Sequence, residues 1–165
     1  MKTLYLLRHA KSSWKDEGLA DIDRPLNPRG KRATRTLAAF FTKVKIEPDV
    51  IISSPAVRAR QTIERILRLT KSKNKPRFDE RIYEAPADRL VNVLTGIEKT
   101  AKSVLMVGHN PGMEELLTRL TGRSERMQTG ALAKITFGEN WPSSGTERGK
   151  LEWVVRPKEL ETDLI

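Results

Sequence analysis

Two histidines, each closing an apolar run, carry the clearest chemical signal in this chain. Thr3-Leu4-Tyr5-Leu6-Leu7 leads into Arg8-His9, and Ser103-Val104-Leu105-Met106-Val107 leads into Gly108-His109-Asn110-Pro111-Gly112. A neutral imidazole can attack phosphorus, while a protonated one can donate to an oxygen or a leaving group. Arg8 and Arg58 add guanidiniums, whose planar forks bind phosphoryl oxygens in pairs and neutralise their charge. Glu80 adds a carboxyl group. The set Arg8, His9, Arg58, Glu80 and His109 therefore points to phosphoryl chemistry resting on cationic side chains. There is no P-loop spacing, no His-x-His, no His-Glu-x-x-His and no cysteine, so metal ligation is not expected.

The elements that must position these groups follow from the pattern around them. A short apolar run bounded by polar residues reads as a strand buried on both faces, as in a parallel sheet. Ligands of α/β folds gather at the carboxyl edge of such a sheet, where both histidines would stand side by side if their strands are neighbours. Asn27-Pro28 opens a helix, with the asparagine as cap and the proline in the first position, followed by Ala33, Leu37, Phe40, Phe41 and Val44 at helical spacing. Asp49 to Ser53 is a second strand. Ser54-Pro55 then starts a second helix with Ile63, Ile66 and Leu67 inward. Arg58 falls in its first turn, where a cation opposes the helix dipole but faces any anion bound there. The segment from Phe78 to Tyr83 is expected to be extended, and Ala87 to Ile97 to be a third helix. A fourth helix follows Pro111-Gly112 and stops at Gly122. Strands at Ala131–Phe137 and Leu151–Val155 are joined by a Gly/Ser/Pro loop, and Glu159 to Ile165 is expected to fray. Strands alternating with helices predict an α/β three-layer sandwich, a mostly parallel central sheet flanked by helices, as a single domain over 1–165.

Composition narrows the function classes. The 165 residues carry a net charge of +10, with 32% charged and 38% hydrophobic residues, which suits a globular chain. The absence of cysteine excludes a disulfide framework and a thiol nucleophile, and makes a reducing cytoplasm the expected location. The apolar stretch at Leu4–Leu7 ends in Arg8-His9 without a cleavage site, so neither a signal peptide nor a membrane span is expected. Basic residues are scattered and not interleaved with aromatics as in nucleic-acid modules. Their summed field favours acidic surfaces and phosphorylated ligands over a specific nucleic acid. Nothing in the sequence fixes the oligomeric state, and a monomer is compatible with it.

The motifs resemble the histidine phosphatase superfamily, historically named after phosphoglycerate mutase. The matching residues are Leu7-Arg8-His9, then Ser53-Ser54-Pro55 with Arg58 and Gln61-Thr62, then Gly108-His109-Asn110. Arg8 to Trp14, Asp23-Arg24-Pro25-Leu26, Gly108 to Gly112 and Thr129-Gly130-Ala131-Leu132 are similar to the short phosphohistidine phosphatases of the SixA type. The likeness covers essentially the whole chain. It implies a phosphoglycerate mutase-like fold and a nucleophilic His9 that becomes a covalent phosphohistidine. It also implies a phosphate pocket of Arg8, Arg58 and His109, with neither metal nor organic cofactor. The family's carboxyl proton donor matches best at Glu80; Glu84 is close by, and either could instead be a surface partner of an arginine. Lys11, Ser12 and Asn110 flank the motifs and could touch substrate or cap turns. The connectors between Arg58 and His109 leave no room for a lid subdomain, which suits a phosphoryl group displayed on a protein. A small-molecule phosphomonoesterase of the same fold remains open, as does a basic module that only binds phosphate or nucleic acid.

Overall fold

The computed structural model describes residues 1–142 and 148–163. One six-stranded sheet runs through it. Its strands are β1 (Lys2–Arg8), β2 (Val50–Ser53), β3 (Arg77–Phe78), β4 (Ser103–Gly108), β5 (Leu132–Phe137) and β6 (Lys150–Val155). They lie in the order β3-β2-β4-β1-β5-β6. The first four are parallel, whereas β5 is antiparallel to both β1 and β6. The helices are α1 (Pro28–Val44), α2 (Val57–Leu69), α3 (Ala87–Thr95), α4 (Gly112–Thr121) and α5 (Pro157–Asp163). Among the described residues no helix is long and apolar enough to cross a membrane.

The sheet separates two apolar layers, because alternate residues of a strand face opposite ways. Tyr5 and Leu7 of β1 pack with Leu37, Phe41, Ile63 and Ile66, under α1 and α2. Leu4 and Leu6 pack with Leu90, Val93, Leu116 and Leu117, under α3 and α4. With both faces covered, β1 and β4 read as near-continuous apolar runs. This is the three-layer, mostly parallel α/β sandwich expected from the pattern.

Local chemistry sets the ends of the elements. Asn27 caps α1 by accepting from the Gly30 N–H at 2.8 Å, with Pro28 in the first position. Gly30 is required for another reason: a Cβ there would lie 2.1 Å from the carbonyl oxygen of Lys11. Its absence lets the segment that leaves β1 run directly under the start of α1. A Cβ on Gly112 would likewise meet the Ala85 carbonyl at 2.2 Å, so α4 begins pressed against the residues after Tyr83.

Three expectations need correction. The segment from Phe78 to Tyr83 is not extended: β3 ends at Phe78, and Glu80–Ile82 form a 3-10 turn capped by the Asp79 carboxylate, which accepts from the Arg81 N–H. A short acceptor two residues ahead of a free donor favours a turn over a strand. The second helix starts at Val57 rather than at Pro55, since Ser54 Oγ accepts from Ala56 N–H and holds a bend first. The chain end does not fray from Glu159, because α5 seats the buried Leu160 in the layer that contains Leu37 and Phe41. The expected Gly/Ser/Pro loop falls largely on 143–147, and the stretch expected to fray ends on 164–165; both lie outside the described residues.

Candidate active site

The register of the sheet assembles the site. Arg8 of β1 pairs with Gly108 of β4, so the next residue on each strand, His9 and His109, emerges at the same carboxyl edge. Their ring centroids are 5.1 Å apart, and each residue is 6% exposed. Arg58 arrives from the first turn of α2 and is also buried. Together with Arg8 these side chains line a cavity of about 280 Å³.

Hydrogen bonds orient each ring. His9 Nδ1 lies 2.7 Å from the Ala10 carbonyl oxygen, which can only accept. The imidazole hydrogen therefore sits on Nδ1, and the lone pair of Nε2 is free. His109 Nε2 lies 2.7 Å from Ser54 Oγ. A hydroxyl proton donated there would place the ring hydrogen on Nδ1, an atom that is buried and unpartnered.

The arginines are held in place by hydrogen bonds. Arg8 Nη1 donates to the Met127 carbonyl at 3.1 Å, and Arg58 donates from Nη1 to the Asp21 carbonyl at 2.8 Å and from Nη2 to Asp21 Oδ2 at 3.0 Å. Arg8 Nε and Arg58 Nε have no partner. With His109 Nδ1 they are the buried side-chain nitrogens and oxygens left unpaired among the described residues, and all three belong to this site. Orphaned buried donors are rare and costly. All three belong to residues that line one cavity, and a wall carrying two guanidiniums suits an anion with several acceptor oxygens.

The same positive surroundings shape the titrations. Burial pushes His9 down to about 3, against the pull of the Ala10 hydrogen bond, and His109, once protonated, depresses it further together with the Arg58 and Arg8 charges. Burial pushes His109 down to about 4, with the Arg58 charge adding to it. Both rings are thus neutral at pH 7, as a nucleophile must be. Asp21 is held down at about 2, first by the Tyr83 hydroxyl and then by Arg24 and Arg58.

Glu80 is exposed on the 3-10 turn and is not part of the cavity wall. Glu84 is. Its φ of 49° is unusual for a residue with a side chain and commonly marks a functional constraint. Glu84, His109 and Asn110 also border an adjoining hollow of about 350 Å³, so the site opens sideways. Lys11, Ser12 and Asn110 all line the cavity. Ser12 Oγ accepts from Arg24 at 2.9 Å, and Asn110 Nδ2 donates to the Met127 carbonyl at 2.8 Å and to Glu114. The last two are thereby tied into the wall, whereas Lys11 is exposed at the rim.

Sequence reasoning missed Asp21, Arg24, Tyr83 and the role of Ser54. Asp21 is the anchor of the set: Oδ1 accepts from Arg24 Nε at 3.0 Å, and Oδ2 accepts from Arg58 and Tyr83. The available signal was Arg58 itself, since a guanidinium buried at a helix start needs a counter-charge.

Comparison with known proteins gives a consistent picture. The family model of the histidine phosphatase superfamily (branch 1) matches residues 4–85. An uncharacterized chloroplastic protein of Arabidopsis thaliana is 32% identical over 170 residues, which cover 94% of this chain and 78% of that one. Among solved structures, a candidate phosphohistidine phosphatase SixA from Agrobacterium tumefaciens superposes with a TM-score of 0.82 at 28% identity, over 94% of this chain and 98% of its own. A candidate SixA from Nakamurella multipartitia reaches 0.78 at 25% identity, over 94% and 96%.

Proposed function

The chain belongs to the histidine phosphatase superfamily, and on that premise we propose that it hydrolyses phosphohistidine on a protein through a covalent intermediate on His9. The observation that carries the reading is the meeting of Arg8, Arg58 and His109 in one cavity wall with His9, whose Nε2 is left free. A phosphoryl group has three non-bridging oxygens to offer such a wall. The likeness to the Agrobacterium tumefaciens SixA structure adds the substrate class.

In this mechanism His9 Nε2 attacks phosphorus, forming one P–N bond as the P–N bond to the substrate's imidazole breaks. The guanidiniums take up the charge on the equatorial oxygens from a largely buried wall, where their field is stronger than in bulk water. Water then attacks phosphorus, the bond to Nε2 breaks, and inorganic phosphate leaves. Glu84 is the carboxyl group placed to accept the water proton or to supply one to a leaving group. A phosphohistidine asks little of it, because imidazole leaves with a conjugate-acid pKa of about 6.5. An alkoxide asks far more.

The test is turnover of a phosphohistidine-bearing protein against simple phosphate esters, by the native protein and by His9→Ala. The reading expects the phosphohistidine to be strongly preferred and His9→Ala to be inactive on both. Preference for a small ester would favour the phosphomonoesterase reading, and phosphate binding without turnover a binding module.

A further inference from the structure

Trp14 is the large aromatic side chain at the rim of the histidine cavity, and it is 75% exposed. The rest of that wall is cationic or polar, apart from the two imidazoles and the methyl group of Thr129. It can hold a phosphoryl group, but it offers little surface to whatever the phosphoryl group is attached to. Trp14 supplies that surface, and its placement is fixed from beneath. The Arg24 guanidinium carbon lies 3.5 Å from the ring centroid, in stacking contact. Arg24 is itself only 7% exposed and is held by Asp21 Oδ1 at 3.0 Å, Ser12 Oγ at 2.9 Å and the Ser13 carbonyl at 3.1 Å. The guanidinium is a rigid shelf. One face of the indole rests on it, and the exposure of the residue leaves the other face open to solvent.

The shelf and the phosphate clamp share one anchor. Asp21 takes Arg24 on Oδ1 and Arg58 on Oδ2, so the height of the indole is fixed relative to the guanidinium that would hold phosphorus. A flexible surface tryptophan would have no such registration.

We propose that the open face of Trp14 is a stacking platform for a flat ring that carries the phosphoryl group, and so selects ring-borne phosphoryl substrates over aliphatic ones. The proposal deepens the phosphohistidine reading, in which that ring is the substrate's imidazole. Stacking on an anchored aromatic is sequence-tolerant and depends only on a planar π face. Such a contact serves one kind of leaving group in many protein settings.

The test separates ring recognition from turnover by using stable ligands. Phenylphosphonate and methylphosphonate share the same anionic head and differ in the ring, and calorimetry gives the affinity of each. The native protein should bind phenylphosphonate about tenfold tighter. Trp14→Ala should erase that preference, and Trp14→Phe should retain most of it. An equal affinity for both ligands in the native protein overturns the proposal, as does a preference that survives in Trp14→Ala. Loss of both affinities in Trp14→Ala, not restored by Trp14→Phe, would instead make Trp14 a cover for Arg24 and overturn it as well. A second arm ties the ring to imidazole: the kcat/KM ratio of N-phosphorylimidazole to phosphoramidate should fall about tenfold in Trp14→Ala. An unmoved ratio overturns the imidazole assignment. Failure to hydrolyse protein phosphohistidine would sink the functional reading alone, since the phosphonate comparison is read without turnover.

Discussion

The two buried histidines should make this protein sensitive to mild acid, in a pH window where carboxylates are still ionised. His9 is held down near 3 and His109 near 4, both chiefly by burial, whereas an unfolded histidine titrates near 6.5. Between those values the unfolded chain binds more protons than the folded one, so stability is full above about pH 6.5 and falls as the pH drops below it. A pH of 5 lies about 1.5 units under the unfolded pKa and above both folded values, which corresponds to about 2 kcal/mol per ring and about 4 kcal/mol for the pair. That is a large part of the roughly 5–15 kcal/mol that holds a domain together. Asp21, held near 2, adds its own loss only below about pH 4, outside this window. The perturbation that isolates the effect is the double variant His9→Asn, His109→Gln. The asparagine amide can replace Nδ1 toward the Ala10 carbonyl, and the glutamine amide can replace Nε2 toward Ser54. Urea unfolding at pH 7.5, 6 and 5 should show the native protein losing about 4 kcal/mol more than the variant. Saturating phosphate should reduce the native loss, because a bound anion favours charged rings. Parallel pH curves for the two proteins would refute the reasoning.

Arg58→Lys should lower kcat/KM by about a hundredfold, since a single ammonium cannot keep the two-nitrogen contact with Asp21 and also offer a planar fork to the ligand. Steady-state kinetics at matched stability checks it, and near-native values would remove Arg58 from the clamp. Glu84→Gln should depress hydrolysis of alkyl phosphates about a hundredfold while sparing phosphohistidine, and Glu80→Gln should change neither by more than about twofold. The kcat/KM pair for each variant decides between the two carboxylates. Gly30→Ala should cost about 2 kcal/mol, because its Cβ would lie 2.1 Å from the Lys11 carbonyl and force the segment after β1 off the start of α1. Urea unfolding measures that, and an unchanged midpoint would mean that the segment yields freely.

What the sequence revealed here was whatever is encoded by neighbours along the chain. His9 and His109 close apolar runs, and two such runs paired in parallel need only one register to bring the rings together. Asn27-Pro28 announces a helix start through a local cap. Asp21 was illegible for the opposite reason. It lies 37 positions from Arg58 and 62 from Tyr83, in a polar stretch without periodicity, and only the folded chain makes it a shared acceptor. The choice between Glu80 and Glu84 turned on a single 3-10 turn, because three residues of helical rather than extended backbone change which carboxylate lines the cavity. α5 was hidden by its length: seven residues are too few for a periodic pattern, and its seat depends on Leu160 finding the layer under α1.

The central claim is a phosphoryl group carried on one defined nitrogen of His9. It is tested most directly by quenching the protein in alkali during turnover, where phosphohistidine persists, and mapping the phosphate by mass spectrometry and phosphorus NMR. Because Nδ1 is committed to the Ala10 carbonyl, the label should appear on His9 and on Nε2. Label on His109, on His9 Nδ1, or on no residue during demonstrable turnover would contradict the account.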